Sequence, residues 1–379
     1  MIDAYDKTMD GLLMRFHLID GLRGFAALWV VLYHTNEGGH LDGLVQLIPE
    51  AFVMIIFELG HAGVPIFFVL SGFVIAHSIK NDSVNGSYFA KFTLRRSLRL
   101  DPPYWAAIVL VILLAWLSSN VKGEFYELPD LVTILAHMFY LQGILEIPHL
   151  SIIFWTLCLE IQFYLVFCGL AYLTQKFEKY TNKAFVIIFT LVGLISLLWP
   201  VGMLKENIYP GLFVPFFHAF LLGVFTYWSW QKKISIHFFY LYFLIVIISS
   251  VISQSSFSIA AALTAFIIHE CARFNLITSL NWRWIQFLGV ISYSLYLTHG
   301  PITGASYFLF YRLFGDSIFS QAIAFLVSTG TCIIFAFMFW WLFEKWSIKL
   351  SKKVLLHNGK GPSNKEKIAT AVSCKKSVN

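Results

Sequence analysis

Ten apolar stretches alternate with short polar segments along this 379-residue chain. They run at about Leu18–Thr35, Phe52–Ile79, Pro103–Ser119, Phe154–Leu173, Ala184–Val201, Pro210–Ser229, Ile236–Ser253, Phe257–Cys271, Ile285–Phe310 and Phe319–Phe343. A helix needs roughly 20 predominantly apolar residues to cross a bilayer, and most of these runs are near that length. The pattern predicts an all-α, polytopic membrane protein of about ten transmembrane helices. An eleventh run, Leu131–Leu141, is apolar but short for a crossing.

The polar segments orient the spans. Segment 80–99 carries Lys80, Lys91, Arg95, Arg96 and Arg99, and segment 176–183 carries Lys176, Lys179 and Lys183. Basic loops stay on the cytoplasmic side, so an even number of crossings separates these two. Spans three and four already supply two. Leu131–Leu141 is therefore predicted to be a re-entrant or interfacial segment on the outer side. Lys232–Lys233, Arg273–Arg283 and the C-terminal tail then fall inside, so both termini are cytoplasmic. Arg312, with Asp316 as a nearby counter-charge, is left outside. The organisation expected is a cytoplasmic segment 1–17, a transmembrane domain 18–345 and a flexible basic tail 346–379. The N-terminus is too polar for a signal peptide, so the first span is expected to be an uncleaved anchor.

Composition supports a membrane location. Hydrophobic residues make up 58% of the chain and charged residues 13%, with a mean hydropathy of +0.72. A soluble domain carries about 25% charged residues. The net charge of +6 resides in the short segments, where orientation charges sit, so it is no nucleic-acid signal. The five cysteines form no CxxC pair, and four fall within apolar runs, where they read as small buried hydrophobes.

Ionisable residues within spans are costly and therefore mark candidate sites. The first span reads LIDGLRGFAALWVVLYH. Arg23 and His34 are eleven residues apart, which in a helix is three turns plus about 20°, with a rise of roughly 16 Å. They share one face, the arginine near the cytoplasm and the histidine near the outer side. A topology charge and an interfacial residue are the bland alternatives. In FTLRRSLRLDPPYW, Arg95, Arg96 and Arg99 lie at helical spacings before a proline-terminated turn. Guanidinium forks suit phosphates; positive-inside charge with lipid headgroup contact is the alternative. In FWTLCLEIQFYL, Glu160 and Tyr164 share a face at i, i+4. Glu160 and His34 fall at matching depth, so the carboxylate is expected to orient the histidine for general-base work. A structural Glu–His pair is the alternative.

Ser71, in GVPIFFVLSGFVI, has no GxSxG elbow around it and is assigned to packing. His299, in ISYSLYLTHGPI, reads equally as structural or catalytic. His61, His77, His269 and Glu270 read as interfacial. HExxH, P-loop and nucleotide-binding GxGxxG patterns are missing from the sequence, so metal and ATP chemistry have no support.

Five segments in order, DGLRGFAALWVVLYH, GVPIFFVLSGFVI, RRSLRLDPPYW, FWTLCLEIQFY and ISYSLYLTHGPI, resemble the acyltransferase-3 family of integral membrane O-acyltransferases. The resemblance covers about residues 18–345. It implies ten membrane helices in a multi-pass protein of the inner or plasma membrane. It implies transfer of an acyl group, usually acetyl, from cytoplasmic acyl-CoA to a sugar hydroxyl of an extracytoplasmic glycan. By position, His34 matches the essential histidine and Arg23 its arginine partner. Arg95, Arg96 and Arg99 match the cytoplasmic arginine motif, and Glu160 and Tyr164 the Glu/Tyr motif. Thr156 stands where serine is common and Ile161 where a second acidic residue is common. The expected partners are acyl-CoA as donor co-substrate, a glycan or oligosaccharide acceptor and membrane lipids, with no permanently bound cofactor and no nucleic acid. With no esterase-like extension after the last span, a stand-alone transferase is expected. A transporter or flippase for a lipid-linked glycan is the rival reading; it needs no arginine cluster opposite a buried histidine.

Overall fold

A computed structural model describes residues 16–79, 84–178, 180, 184–204 and 211–356. Lys80, Lys179, Lys183, Cys374, the first fifteen residues and the chain beyond 356 lie outside the described residues. Among the described residues there are helices and no strands. The elements are α1 (His17–Glu37), α2 (Asp42–Val45), α3 (Glu50–Ile56), α4 (Gly63–Ser78), α5 (Gly86–Lys122), α6 (Leu131–Met138) and α7 (Trp155–Glu178). After them come α8 (Ala184–Ser196), α9 (Phe217–Trp230), α10 (Ile236–Ile252), α11 (Ser256–Arg273), α12 (Arg283–Phe314), α13 (Ile318–Phe339) and α14 (Lys345–Ser351). Among the described residues four stretches are long and apolar enough to cross a membrane: Glu50–Ser78, Gly86–Lys122, Ile152–Glu178 and Ile318–Ser351.

Three expectations change at the helix ends. The arginine motif does not precede a turn; it lies within α5, a single helix of 37 residues that runs through Pro102 and Pro103. A proline removes only its own donor, and neighbouring helices can satisfy the carbonyls it frees. Asn85 caps the start of α5 by accepting from the Tyr88 N–H at 2.9 Å, and Gly123 closes it at φ 72°. The second predicted span is broken: α3 ends at Ile56, a 3₁₀ turn covers Glu58–Ala62, and α4 begins at Gly63. The tail expected from residue 346 begins as helix, because α13 continues through a π-helical turn, Trp340–Glu344, into α14. The short run at 131–141 is an eight-residue helix, α6, about 12 Å long at 1.5 Å per residue.

The bundle's centre is α1 packed along α12, with α4 on α9 and α13 on α12 beside them. Two crossings are backbone to backbone. A Cβ on Gly24 would lie 2.6 Å from the Gly289 nitrogen, and one on Gly289 would lie 2.3 Å from the Asp20 carbonyl oxygen. A Cβ on Gly72 would fall 2.0 Å from the Phe220 oxygen, and one on Gly223 1.9 Å from the Val69 oxygen. Small residues at such crossings are how helices gain contact where lipid is as apolar as leucine. They also bring the polar side chains of α1, α4, α5, α7 and α12 to one place.

Candidate active site

Two pockets open along α1. The first is a cleft with about 760 Å³ of atom-free space, lined by Arg23 of α1, Ser71 of α4, Arg96 and Arg99 of α5, Glu160 and Tyr164 of α7, and Tyr293 and Tyr296 of α12. Its remaining wall includes Val64, Phe67, Phe68 and Leu157. Glu160 accepts a hydrogen bond from the Ser71 hydroxyl at 2.5 Å and another from the Tyr164 hydroxyl. The Arg96 guanidinium lies over the Tyr164 ring, 4.5 Å from its centroid, an attraction worth about 0.5–2 kcal/mol. Ser71, assigned to packing from its sequence, thus belongs to this polar cluster. Arg95, expected with the other two arginines, does not line the cleft.

Within electrostatic reach of Arg99 and Arg23 is Glu344, an ionisable residue one position past the expected end of the tenth span. It is 4% exposed. It accepts from the Ser294 hydroxyl at 2.6 Å and the Ser294 N–H at 3.2 Å. The π-helical turn places it there, and such turns recur at functional sites. A lone carboxylate in the apolar run FMFWWLFEKWSIKL was the available signal.

The second pocket holds about 700 Å³ of atom-free space and is lined by His34, Glu37, Gly38 and His40 with Ser151–Ile153 and Gly300, Thr303 and Gly304. His34 Nδ1 lies 2.6 Å from Glu37 Oε2, and the Tyr33 hydroxyl donates to Glu37 Oε1 at 3.2 Å. The expected pairing of His34 with Glu160 is therefore not the one the structure makes. Glu37 is three residues along the same helix, where side chains meet, while Glu160 is engaged by Ser71 and Tyr164. The i, i+3 spacing in HTNE was the signal for this pair. A carboxylate only accepts, so Nδ1 of His34 carries a proton toward Glu37 and a neutral ring keeps its Nε2 lone pair free.

One wall separates the pockets. The Tyr296 hydroxyl, facing the first, is 2.7 Å from the Thr156 hydroxyl and donates to the Ile153 carbonyl at 3.3 Å; Ile153 lines the second. Arg23 and His34 stand on α1 at either side of this wall. Among the described residues no group of His, Cys, Asp or Glu is placed to hold a metal ion.

An arginine-bearing cleft set back to back with a histidine–carboxylate pair, inside a bundle with membrane-length helices, has the makings of a membrane-embedded transferase. The chain belongs to the acyltransferase domain family, which it matches over residues 16–341. It is 28% identical to the "Peptidoglycan O-acetyltransferase OatA" of Listeria monocytogenes over 48% of this chain and 28% of that protein. It is 28% identical to the "Putative membrane-bound transacylase BcsY" of Komagataeibacter xylinus over 78% of this chain and 75% of that protein. A third relative, the "Putative peptidoglycan O-acetyltransferase YrhL" of Bacillus subtilis, is 24% identical over 75% of this chain and 48% of its own length. The chain thus spans about a quarter of the Listeria relative and about half of the Bacillus one. No solved structure matches it.

Proposed function

We propose that this protein moves an acyl group, acetyl foremost, from cytoplasmic acyl-CoA to a sugar hydroxyl of an extracytoplasmic or lipid-linked glycan, with His34 as general base. The observation that carries the reading is the pair of pockets on α1. The cleft offers Arg23, Arg96 and Arg99 to the anionic part of the donor, and an apolar wall of Val64, Phe67 and Phe68 to its thioester arm. The other pocket offers a histidine whose Nδ1 is already committed to a carboxylate. Two of the relatives above are named as acting on peptidoglycan, so a cell-envelope glycan is the acceptor class proposed.

In this reading the thioester carbonyl reaches past the Tyr296–Thr156 pair to His34, where the acceptor oxygen attacks it as His34 Nε2 takes the acceptor's proton. Glu37 holds the resulting imidazolium, and the CoA sulfur leaves with the proton. Glu160, held by the Ser71 and Tyr164 hydroxyls, gives the cleft a fixed polar side beside the bound donor. The topology proposed is ten crossings of the inner or plasma membrane, with both termini and the arginine cleft facing the cytoplasm, and α6 with the loop after it on the outer side.

The test uses the purified full chain, radiolabelled acetyl-CoA and peptidoglycan or polysaccharide fragments. Label in the glycan without any membrane gradient is the expected result; gradient-dependent movement of unaltered glycan, with no label transferred, supports a transporter instead. Arg96→Gln should raise KM for acetyl-CoA about tenfold or more with kcat less affected, since a charge-assisted hydrogen bond is worth roughly 1.5–3 kcal/mol.

A further inference from the structure

His299 has no part in the reading above, yet its geometry is that of a group awaiting a donor. It is fully buried in α12. Its Nδ1 is 2.8 Å from the Tyr296 carbonyl oxygen and 3.2 Å from that of Leu295. Carbonyl oxygens only accept, so Nδ1 carries the ring proton and Nε2 is a bare lone pair. Among the described residues nothing donates to that Nε2, and a buried acceptor left unpaired is destabilising.

The ring beside it is that of His34, with centroids 5.2 Å apart and planes tilted by 35°. The residues that follow His299 in the sequence, Gly300, Thr303 and Gly304, line the His34 pocket. Other titratable groups around the pair include Glu37 and Tyr33 on α1, already bonded to each other and to His34, Tyr296 on α12, whose hydroxyl is held by Thr156, His40, which lines the same pocket as His34, and Cys332 on α13, whose Sγ lies 3.9 Å from the His299 carbonyl oxygen. The two imidazoles therefore each have Nδ1 engaged and Nε2 open, side by side.

We propose that His299 is a positioning residue for the transfer step: its Nε2 accepts the hydrogen bond of the Nε2–H that His34 gains from the acceptor. The inference rests on His34 being the base. As the acceptor oxygen bonds to the thioester carbon, its proton moves to His34 Nε2; as the carbon–sulfur bond breaks, that proton goes to the departing thiolate. Between those events His34 is an imidazolium with two N–H groups. Glu37 takes one and His299 the other, so both are satisfied inside an apolar wall and no extra net charge is buried. The two rings are direct neighbours, with centroids 5.2 Å apart.

The experiment measures acetyl transfer by the purified full chain and by His34→Ala, His299→Gln and His299→Asn, each checked for folding by its thermal melt. Glutamine can set an amide oxygen near the Nε2 position; asparagine replaces only the Nδ1 end. The expected result is that His299→Gln keeps kcat within about tenfold of wild type while His299→Asn loses on the order of 10²-fold, as removal of acid–base assistance does, both with unchanged KM for acetyl-CoA. A folded His299→Asn protein with wild-type kcat overturns the proposal, as does a folded His299→Gln protein that falls as far as His299→Asn. If His299→Asn does not fold, His299→Gln decides alone, a loss beyond 10²-fold overturning the idea. His34→Ala separates the two readings. Full activity there removes His34 as the base, whereas an inactive His34→Ala beside an active His299→Asn removes only the role of His299.

Discussion

Glu37 alters what His34 can be asked to do. A lone intramembrane histidine is a poor base unless its ring is held in one tautomer, and the 2.6 Å contact with Glu37 supplies that hold. The predicted hierarchy is therefore His34→Ala worst, Glu37→Gln next. His34→Ala should lose kcat by 10²-fold or more, the scale of general-base assistance. Glu37→Gln keeps the shape but neither fixes the tautomer nor balances an imidazolium, so it should lower kcat on the order of 10²-fold with KM for donor unchanged. Transfer assays on both variants decide; a Glu37→Gln enzyme with wild-type kcat would return the orienting role to some other group. His34 is legible in the sequence from its apolar surroundings and its eleven-residue offset from Arg23. Glu37 is not, because it sits just past the expected span end at Thr35, where an acidic residue reads as loop.

At the scale of elements, the site depends on how closely helices approach. On α4, Ser71 reaches Glu160 from the position next to Gly72, and Gly72 meets α9 without a side chain between them. Gly223→Leu puts a branched side chain where even a Cβ is 1.9 Å from the Val69 oxygen. Overpacking of this kind costs about 1–3 kcal/mol or more, and it should push α4 away from α9 and disturb the Ser71–Glu160 bond. Lower melting temperature in detergent, together with reduced transfer, is the outcome expected. A Gly223→Leu protein as stable as wild type would mean that the helices do not meet as described. Gly330→Ala, on α13 with open space around it, is the matched control. The existence of most helices is legible in the apolar runs, but several of their ends are not. Two of these bear on the site. The continuity of α5 was hidden by Pro102–Pro103, which signals a break from sequence alone but is bridged within the bundle. The π turn before α14 leaves no mark in hydropathy, so Glu344 falls one residue past the expected end of the tenth span at Phe343, although it is buried within electrostatic reach of Arg99 and Arg23.

Over the whole molecule, the two pockets matter only if they face opposite compartments. The rise from Arg23 to His34 is roughly 16 Å, about half of a hydrocarbon core some 30 Å thick. On the proposed reading, a donor held by the arginines and an acceptor held at His34 need not enter from the same side, and α1 with the Tyr296–Thr156 wall would be the partition that only the acyl group passes. Two exposed positions test this. Ser87, in the first turn of α5, lies toward the basic segment assigned to the cytoplasm, and Asp42, in α2, follows the His34 end of α1. In a cysteine-free background, Asp42→Cys should react with a membrane-impermeant maleimide in intact cells, and Ser87→Cys only after the inner face is opened. Labelling of both from one side would place the two pockets in a single compartment. The acceptor would then have to reach His34 from the cytoplasm, and a transferase serving the outer surface would give way to one that modifies a lipid-linked glycan before it is flipped.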